Sequence, residues 1–332
     1  MSAPLKIGVI GVGVMGERHA RVLRGLPSAQ LVGIQDVSAE RASLVASRYG
    51  VPTFGRIDEL LEKVDAVTVA TPTPLHYENV KQCLQAGKHV LVEKAFTEHL
   101  AQAEELTTLA AHTGRLLQVG HIERYNPVYT SLKRYLQDSG EQPFALTFRR
   151  LSSFVTSNRA VDVVLDLMIH DLDLLLDLNR SHPMERLSAV GRIIRTSEID
   201  HAIAHASMRG GPVCTLFASR VTEQKVRSIE VTTPTSFIQA DLLRKEIVIH
   251  RNTQSAYQAQ DGGIAYQQQS VIERVQVPTT EPLLLELTDF VECVRSGSSP
   301  TVSAQDALLA LRATHEVIAQ IQHQIPAAQP AP

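Results

Sequence analysis

The feature that most restricts how this chain can fold is a GxGxxG turn at residues 11–16. Gly11, Gly13 and Gly16 follow an apolar run, Leu5 to Ile10, and precede a helical pattern from Glu17 to Leu26. In a strand–turn–helix setting the glycines allow a tight turn and close approach of backbone to a pyrophosphate, while the helix N-terminus directs N–H groups at the anion. Val14 and Met15 lie inside the same turn and belong to that cradle. A second strand pattern, Leu31 to Asp36, ends on an acid twenty residues past Gly16. A carboxylate at that place can accept both ribose hydroxyls of an adenosine and repels a 2′-phosphate, so the expected cofactor is NAD rather than NADP. Arg41, five residues on, reads as a solvated helix residue.

Strand and helix patterns then alternate. Helices are expected at Ala39 to Tyr49, Ile57 to Glu62, through Leu84, and at Leu100 to His112, with strands at Asp65 to Ala70, His89 to Glu93 and Leu116 to Gly120. Apolar strands separated by helices predict a doubly wound parallel sheet, a Rossmann domain over residues 1–121. Ligands of such sheets sit at the carboxyl ends of the strands. Three segments lie there and are expected to rim the cofactor: Thr71, Pro72 and on to His76; Glu93-Lys94-Ala95; and Gly120-His121. Lys94 directly follows a buried strand, where a lysine faces the crevice rather than bulk water.

From residue 122 to 332 the texture changes. A helix from Val128 to Leu136 and a strand from Pro143 to Arg150 lead to VDVVLDLMIHDLDLLLDL, Val161 to Leu178. At uniform helical spacing Asp162, Asp166, His170, Asp173 and Asp177 fall within about a quarter of the circumference, with Asp171 opposite. The stripe reads either as a narrow solvated edge or as a catalytic Asp/His pair, Asp166 and His170, one turn apart at the floor of a pocket; Asp173 and Asp177, farther along the axis, read as a polar edge, and Asp162 fits either reading. Strand patterns follow at Ser188 to Arg195, His201 to Met208, Val213 to Arg220, Ser228 to Thr233, Ser236 to Asp241, Lys245 to His250 and Ser270 to Val277. Short turns between them predict an α+β domain with a large, mostly antiparallel sheet and helices on one face. The other face lacks covering helices and needs a partner. Gln258 to Gln269 reads as a polar surface loop, Pro282 to Arg295 and Ser303 to Gln322 as helices, and 325–332 as a disordered tail.

Composition narrows the classes. With 32 basic and 35 acidic residues there is no electrostatic footprint for nucleic acid or an anionic membrane. No apolar run approaches a membrane span, and the N-terminus enters a strand pattern without a leader-like segment, so a cytoplasmic protein is expected. Cys83, Cys214 and Cys293 are far apart, and His201, His205 and His250 lie in strand patterns, so no disulfide framework and no metal site is expected.

Four features together resemble the Gfo/Idh/MocA oxidoreductases: the GVGxMG turn with Asp36, ATPxxxH from Ala70 to His76, the pair Glu93-Lys94, and DxxxH at Asp166 and His170. The resemblance spans both halves, and it implies that the open sheet face is buried between subunits of a homodimer or homotetramer. It implies that Lys94, Asp166 and His170 surround the substrate carbon beside the nicotinamide. Where the family has Glu-Lys-Pro, this chain has Ala95. A cis bond is inexpensive before proline but costs about 3 kcal/mol before alanine, so the presentation of Lys94 is left open. The segment Val119 to Val128 is similar to that of the UDP-N-acetylglucosamine 3-dehydrogenases, whose products feed amino-sugar synthesis in lipid A and O-antigen pathways. That likeness implies a UDP-sugar substrate, with Arg124, Tyr125, Asn126 and Arg149 as candidate contacts; for Arg124 a hinge salt bridge reads equally well. A polyol dehydrogenase of the inositol type and a non-catalytic NAD-binding sensor remain the alternatives.

Overall fold

The computed structural model describes residues 3–154, 161–260 and 263–324, with backbone alone at 252–260 and 263–270. The chain divides into two compact units, Met1–Tyr125 with Thr280–Arg312, and Asn126–Thr279 with Ala313–Pro332. A single cut after residue 121 was the sequence expectation; instead a C-terminal segment returns to the first unit. Burial is the reason. Leu283, Leu287, Phe290 and Val291 join the cluster of Ile7, Val9, Leu23 and Leu91, and an amphipathic pattern does not reveal which core its apolar face will enter.

In the first unit the elements run β1 (Leu5–Ile10), α1 (Val14–Gly25), β2 (Ala29–Gln35), α2 (Ala39–Tyr49), β3 (Thr53–Phe54), α3 (Ile57–Leu61), β4 (Ala66–Val69), α4 (His76–Gln85), β5 (His89–Glu93), α5 (Leu100–Thr113) and β6 (Leu117–Gly120). All sheet pairings are parallel, in the order β3-β2-β1-β4-β5-β6. This is the doubly wound order, whose switch point beside β1 opens a crevice at the strands' carboxyl ends. The glycines are required by space. Gly11 has φ +80°, and a Cβ on Gly16 would lie 1.8 Å from the Gly11 carbonyl oxygen.

The second unit contains α6 (Pro127–Ser139), β7 (Ala145–Leu151), α7 (Ile169–Leu178), β8 (Met184–Arg192), β9 (His201–Met208), β10 (Val213–Ser219), β11 (Val226–Thr232), β12 (Ser236–Asp241), β13 (Glu246–Gln260) and β14 (Gly263–Val275). The chain continues with α8 (Pro282–Ser296) and α9 (Ala304–Gln324). The eight strands form one sheet, β14-β13-β12-β11-β7-β10-β9-β8, antiparallel except where β10 meets β7. Alternate side chains such as Leu146, Phe148, Ala204, Leu216 and Ile229 pack against Leu132, Leu172, Leu175 and Val317 of the helices. The residues between them, Thr147, Arg149, His205, Thr215 and Gln239, are half-buried or exposed on the open face. The expected polar loop at Gln258 to Gln269 is instead strand: β13 and β14 pair as a long hairpin to Gln260 opposite Gly263. A stretch rich in Gln and Ser carries no apolar alternation to announce a strand. Residues 261–262 and the expected disordered tail at 325–332 lie outside the described residues.

Val161 to Leu178 is not one uniform helix. The Asp162 carboxylate accepts from the N–H groups of Val164 (2.8 Å) and Leu165 (2.9 Å), Val164–Met168 form a π-helical turn, and α7 follows. The wider turn alters the angular step, so the single five-residue stripe expected from uniform spacing does not hold. Asp173 and Asp177 are also not a wet edge, being only 1 % and 5 % exposed. Asp177 accepts from the Tyr129 hydroxyl, from Lys133 Nζ at 2.7 Å and from Arg180 Nε at 2.7 Å. Asp171, on the other side, is buried against Arg150, which donates from Nε at 3.0 Å and Nη2 at 2.8 Å.

Candidate active site

The carboxyl ends of β1 and β2 form a cradle suited to a dinucleotide. Gly13 has no side-chain cap to offer the first turn of α1, and a Cβ placed on it would meet nothing within 4 Å. Uncapped N–H groups facing open space at a helix N-terminus are what a pyrophosphate requires. Val14 is exposed and Met15 half-buried at the same turn. Asp36 is held by the N–H of Val12 (2.7 Å) and of Ser38 (2.9 Å). Each carboxylate oxygen then keeps a lone pair for a ribose hydroxyl. Arg41 is more than a solvated residue, since its Nε donates to the Val12 carbonyl of the glycine turn.

At the ends of β4 and β5 the residues separate by role. Thr71 is half-buried beside the glycine turn, Pro72 is exposed, and Lys94 is half-buried immediately after β5. The Lys94–Ala95 peptide bond is cis. His76 is fully buried, with Nδ1 at 2.8 Å from the Ala95 carbonyl and Nε2 at 2.8 Å from the Thr71 carbonyl. Both ring nitrogens thus face main-chain carbonyls, and the imidazole has none directed at a cofactor. The Glu93 carboxylate likewise turns away, to His19 Nε2 at 2.9 Å.

Among the substrate candidates, Tyr125 and Asn126 are occupied structurally. The Tyr125 hydroxyl donates to Asp289 (2.7 Å) and accepts from Gln118 Nε2 (2.9 Å). Asn126 caps α6 by accepting from the N–H of Val128 at 3.1 Å. Arg124 is buried in the first unit. Arg149 is exposed on the open face of the sheet, whereas its neighbour Arg150 reaches Asp171 on α7. Successive strand residues face opposite ways, so Arg149 lies on the side away from the helix that carries His170. Asp166, in the π turn, and His170, on α7, are both half-buried.

Sequence reasoning missed His19 and Glu286. With Glu93 they bring ligating atoms within 4.8 Å of one another, all buried. The signal was available: a glutamate among Leu283, Leu287 and Phe290 sits on the apolar face of a helix. Burial and the charges of Glu93 and Asp289 push the Glu286 carboxyl well above its ordinary pKa. A metal-bound imidazole gives its second N–H to an outer partner; among the described residues His19 Nδ1 has no hydrogen-bond partner, and the trio there does not have the support of a metal centre.

The parallel sheet with its glycine cradle and strand-end acid defines a dinucleotide-binding domain, and its similarity to known proteins makes the chain an NAD-binding oxidoreductase. Residues 5–121 match the family model described as "Oxidoreductase family, NAD-binding Rossmann fold". The UDP-N-acetylglucosamine 3-dehydrogenase of Acidithiobacillus ferrooxidans is 34 % identical over 291 residues, 87 % of this chain and 88 % of the relative. Its solved structure superposes with a TM-score of 0.88 at 30 % identity, covering 98 % of this chain and 100 % of that one. The scyllo-inositol 2-dehydrogenase (NAD(+)) of Bacillus subtilis is 26 % identical over 331 residues, 94 % of this chain and 92 % of the relative. The chain belongs to the Gfo/Idh/MocA oxidoreductase family.

Proposed function

We propose that this protein oxidises the C3 hydroxyl of UDP-N-acetylglucosamine to the 3-keto sugar nucleotide. The observation that carries the reading is the 34 % identity to a UDP-N-acetylglucosamine 3-dehydrogenase along 87 % of the chain. Bound NAD would supply the hydride acceptor for the carbinol carbon. The protein's own share is proton management. In this reading His170 takes the hydroxyl proton as general base, Lys94 hydrogen-bonds to the reacting oxygen and shares that proton, and Asp166 orients the imidazole or a neighbouring sugar hydroxyl. The cradle of Gly11, Gly13, Val14, Met15 and Gly16 holds the pyrophosphate, and Asp36 the adenosine ribose. Arg124 is the remaining candidate for a diphosphate contact. The open sheet face serves a homodimer or homotetramer, and the product is a precursor for amino-sugar synthesis in lipopolysaccharide, made in the cytoplasm.

Similarity to the scyllo-inositol enzyme over 94 % of the chain favours a second reading, a polyol dehydrogenase. A non-catalytic NAD sensor is disfavoured because Lys94, Asp166 and His170 are all present. NADH formation against a panel of UDP-sugars and free polyols separates the readings. Turnover of UDP-N-acetylglucosamine is expected; turnover of inositol alone would replace the substrate while leaving the oxidation.

A further inference from the structure

We propose that His76 is a positioning residue for Lys94: its ring braces the end of β4 to the residue after Lys94, and the brace is complete only when both ring nitrogens carry protons. Two acceptors are in hydrogen-bond contact with the ring, the Thr71 carbonyl at Nε2 and the Ala95 carbonyl at Nδ1, each at 2.8 Å. A carbonyl oxygen can only accept, and a neutral imidazole has one N–H and one lone pair. The neutral ring therefore bonds one carbonyl and presents a lone pair to the other; the cation bonds both. Thr71 in turn packs on the phosphate cradle, its nitrogen 2.9 Å and its methyl 2.7 Å from where a Gly11 Cβ would stand. A side chain without solvent contact thus links the cradle to the lysine turn.

Charge around the ring is sparse. Burial lowers the imidazole pKa from its ordinary value, opposed by the Ala95 and Thr71 carbonyls, by Glu93 and by the Phe96 main chain. Of the elements packed against α4, β4 has no titratable residue, and β5 has His89 and Glu93. On α5, Glu104 pairs with Arg312 and Glu105 with Lys81 and Tyr77, while His112 stands at its far end. The connection between β5 and α5 carries Lys94, Glu98 and His99. As pH rises through the folded pKa, the ring loses one proton and the brace loses one contact.

The role assigned to Lys94 rests on the function proposed above, so the first test uses no substrate. In 15N-histidine NMR of the wild-type protein, both His76 ring nitrogens are expected to be protonated at the acid end of the folded range. One should lose its proton as pH rises, with the Ala95 amide resonance shifting in step. A ring that stays neutral throughout, or titrates without moving Ala95, overturns the brace. For His76→Ala and His76→Asn, turnover is expected to fall by about 10²-fold, the effect of roughly 1 Å of misplacement. NAD affinity, read by fluorescence quenching, should stay within about twofold. Unchanged turnover removes the positioning role, and equal losses of affinity and turnover assign His76 to cofactor binding instead. If neither variant folds, the wild-type titration still decides.

Discussion

Strands β1, β4, β5 and β6 of the first unit are buried almost end to end, while those of the second alternate between a helix-covered face and an open one. In the first sheet polar chemistry is confined chiefly to the strand ends, where the glycine turn, Asp36, Thr71 and Lys94 collect. In the second, charge is admitted into the covered layer itself and must be matched there, as Asp171 is by Arg150 and Asp177 by Lys133 and Arg180. The first unit tolerates little steric change at its turn; the second tolerates little electrostatic change beneath its helices.

The sharpest test of that contrast is Asp171→Ala. Leaving Arg150 buried without its carboxylate is expected to cost about 3–5 kcal/mol in urea unfolding, whereas replacing both partners with apolar residues of similar volume should cost far less. A loss under about 1 kcal/mol for the single variant would put this pair in the class of weak surface bridges. In the first unit, Gly16→Val forces a side chain against the Gly11 carbonyl. Overpacking of about 1–3 kcal/mol is expected, with NAD affinity falling up to about 10²-fold by calorimetry. Asp36→Ala removes ribose acceptors without a clash, so a loss of about tenfold in NAD affinity and a relative gain for NADP are expected.

The smallest effect is pH-dependent and belongs to the second unit. Burial raises the Glu141 pKa, but hydrogen bonds from Ser236, Thr233 and Arg251 outweigh it and lower the value from 4.5 to about 2. A depressed carboxylate contributes stability above its unfolded pKa and loses it as pH falls through the folded one. The melting temperature should therefore decline between about pH 4.5 and 2, and less steeply in Glu141→Gln. Parallel slopes for the two proteins would mean that Glu141 does not contribute.

Much of the fold was legible because it is written locally. The limits of β1, α2, β5, β9 and β12 coincide with the expected segments, since apolar alternation, Ser38 at a helix start and Gly50 at its end act over a few residues. The glycine turn was legible for the same reason. Side-chain direction at the candidate site was less so. Glu93 and His76 stand at the expected strand ends but face His19 and two main-chain carbonyls, and Tyr125 is taken by Asp289, 164 residues away. Arg149 and Arg150 differ by one position, which in a strand is the difference between the open face and the helices.

By itself the sequence determined a dinucleotide cradle on a parallel sheet, a second sheet of mostly antiparallel strands, and an oxidoreductase of the Gfo/Idh/MocA family. Periodicity and turn chemistry are short-range, and a chain need only obey them residue by residue. Only the tertiary structure decided that Thr280–Arg312 returns to the first unit, that a π turn divides the acidic segment, and that His19, Glu93 and Glu286 share a buried cluster. Those outcomes depend on which distant groups must satisfy one another once water is gone, and burial assigns such partners across the whole chain.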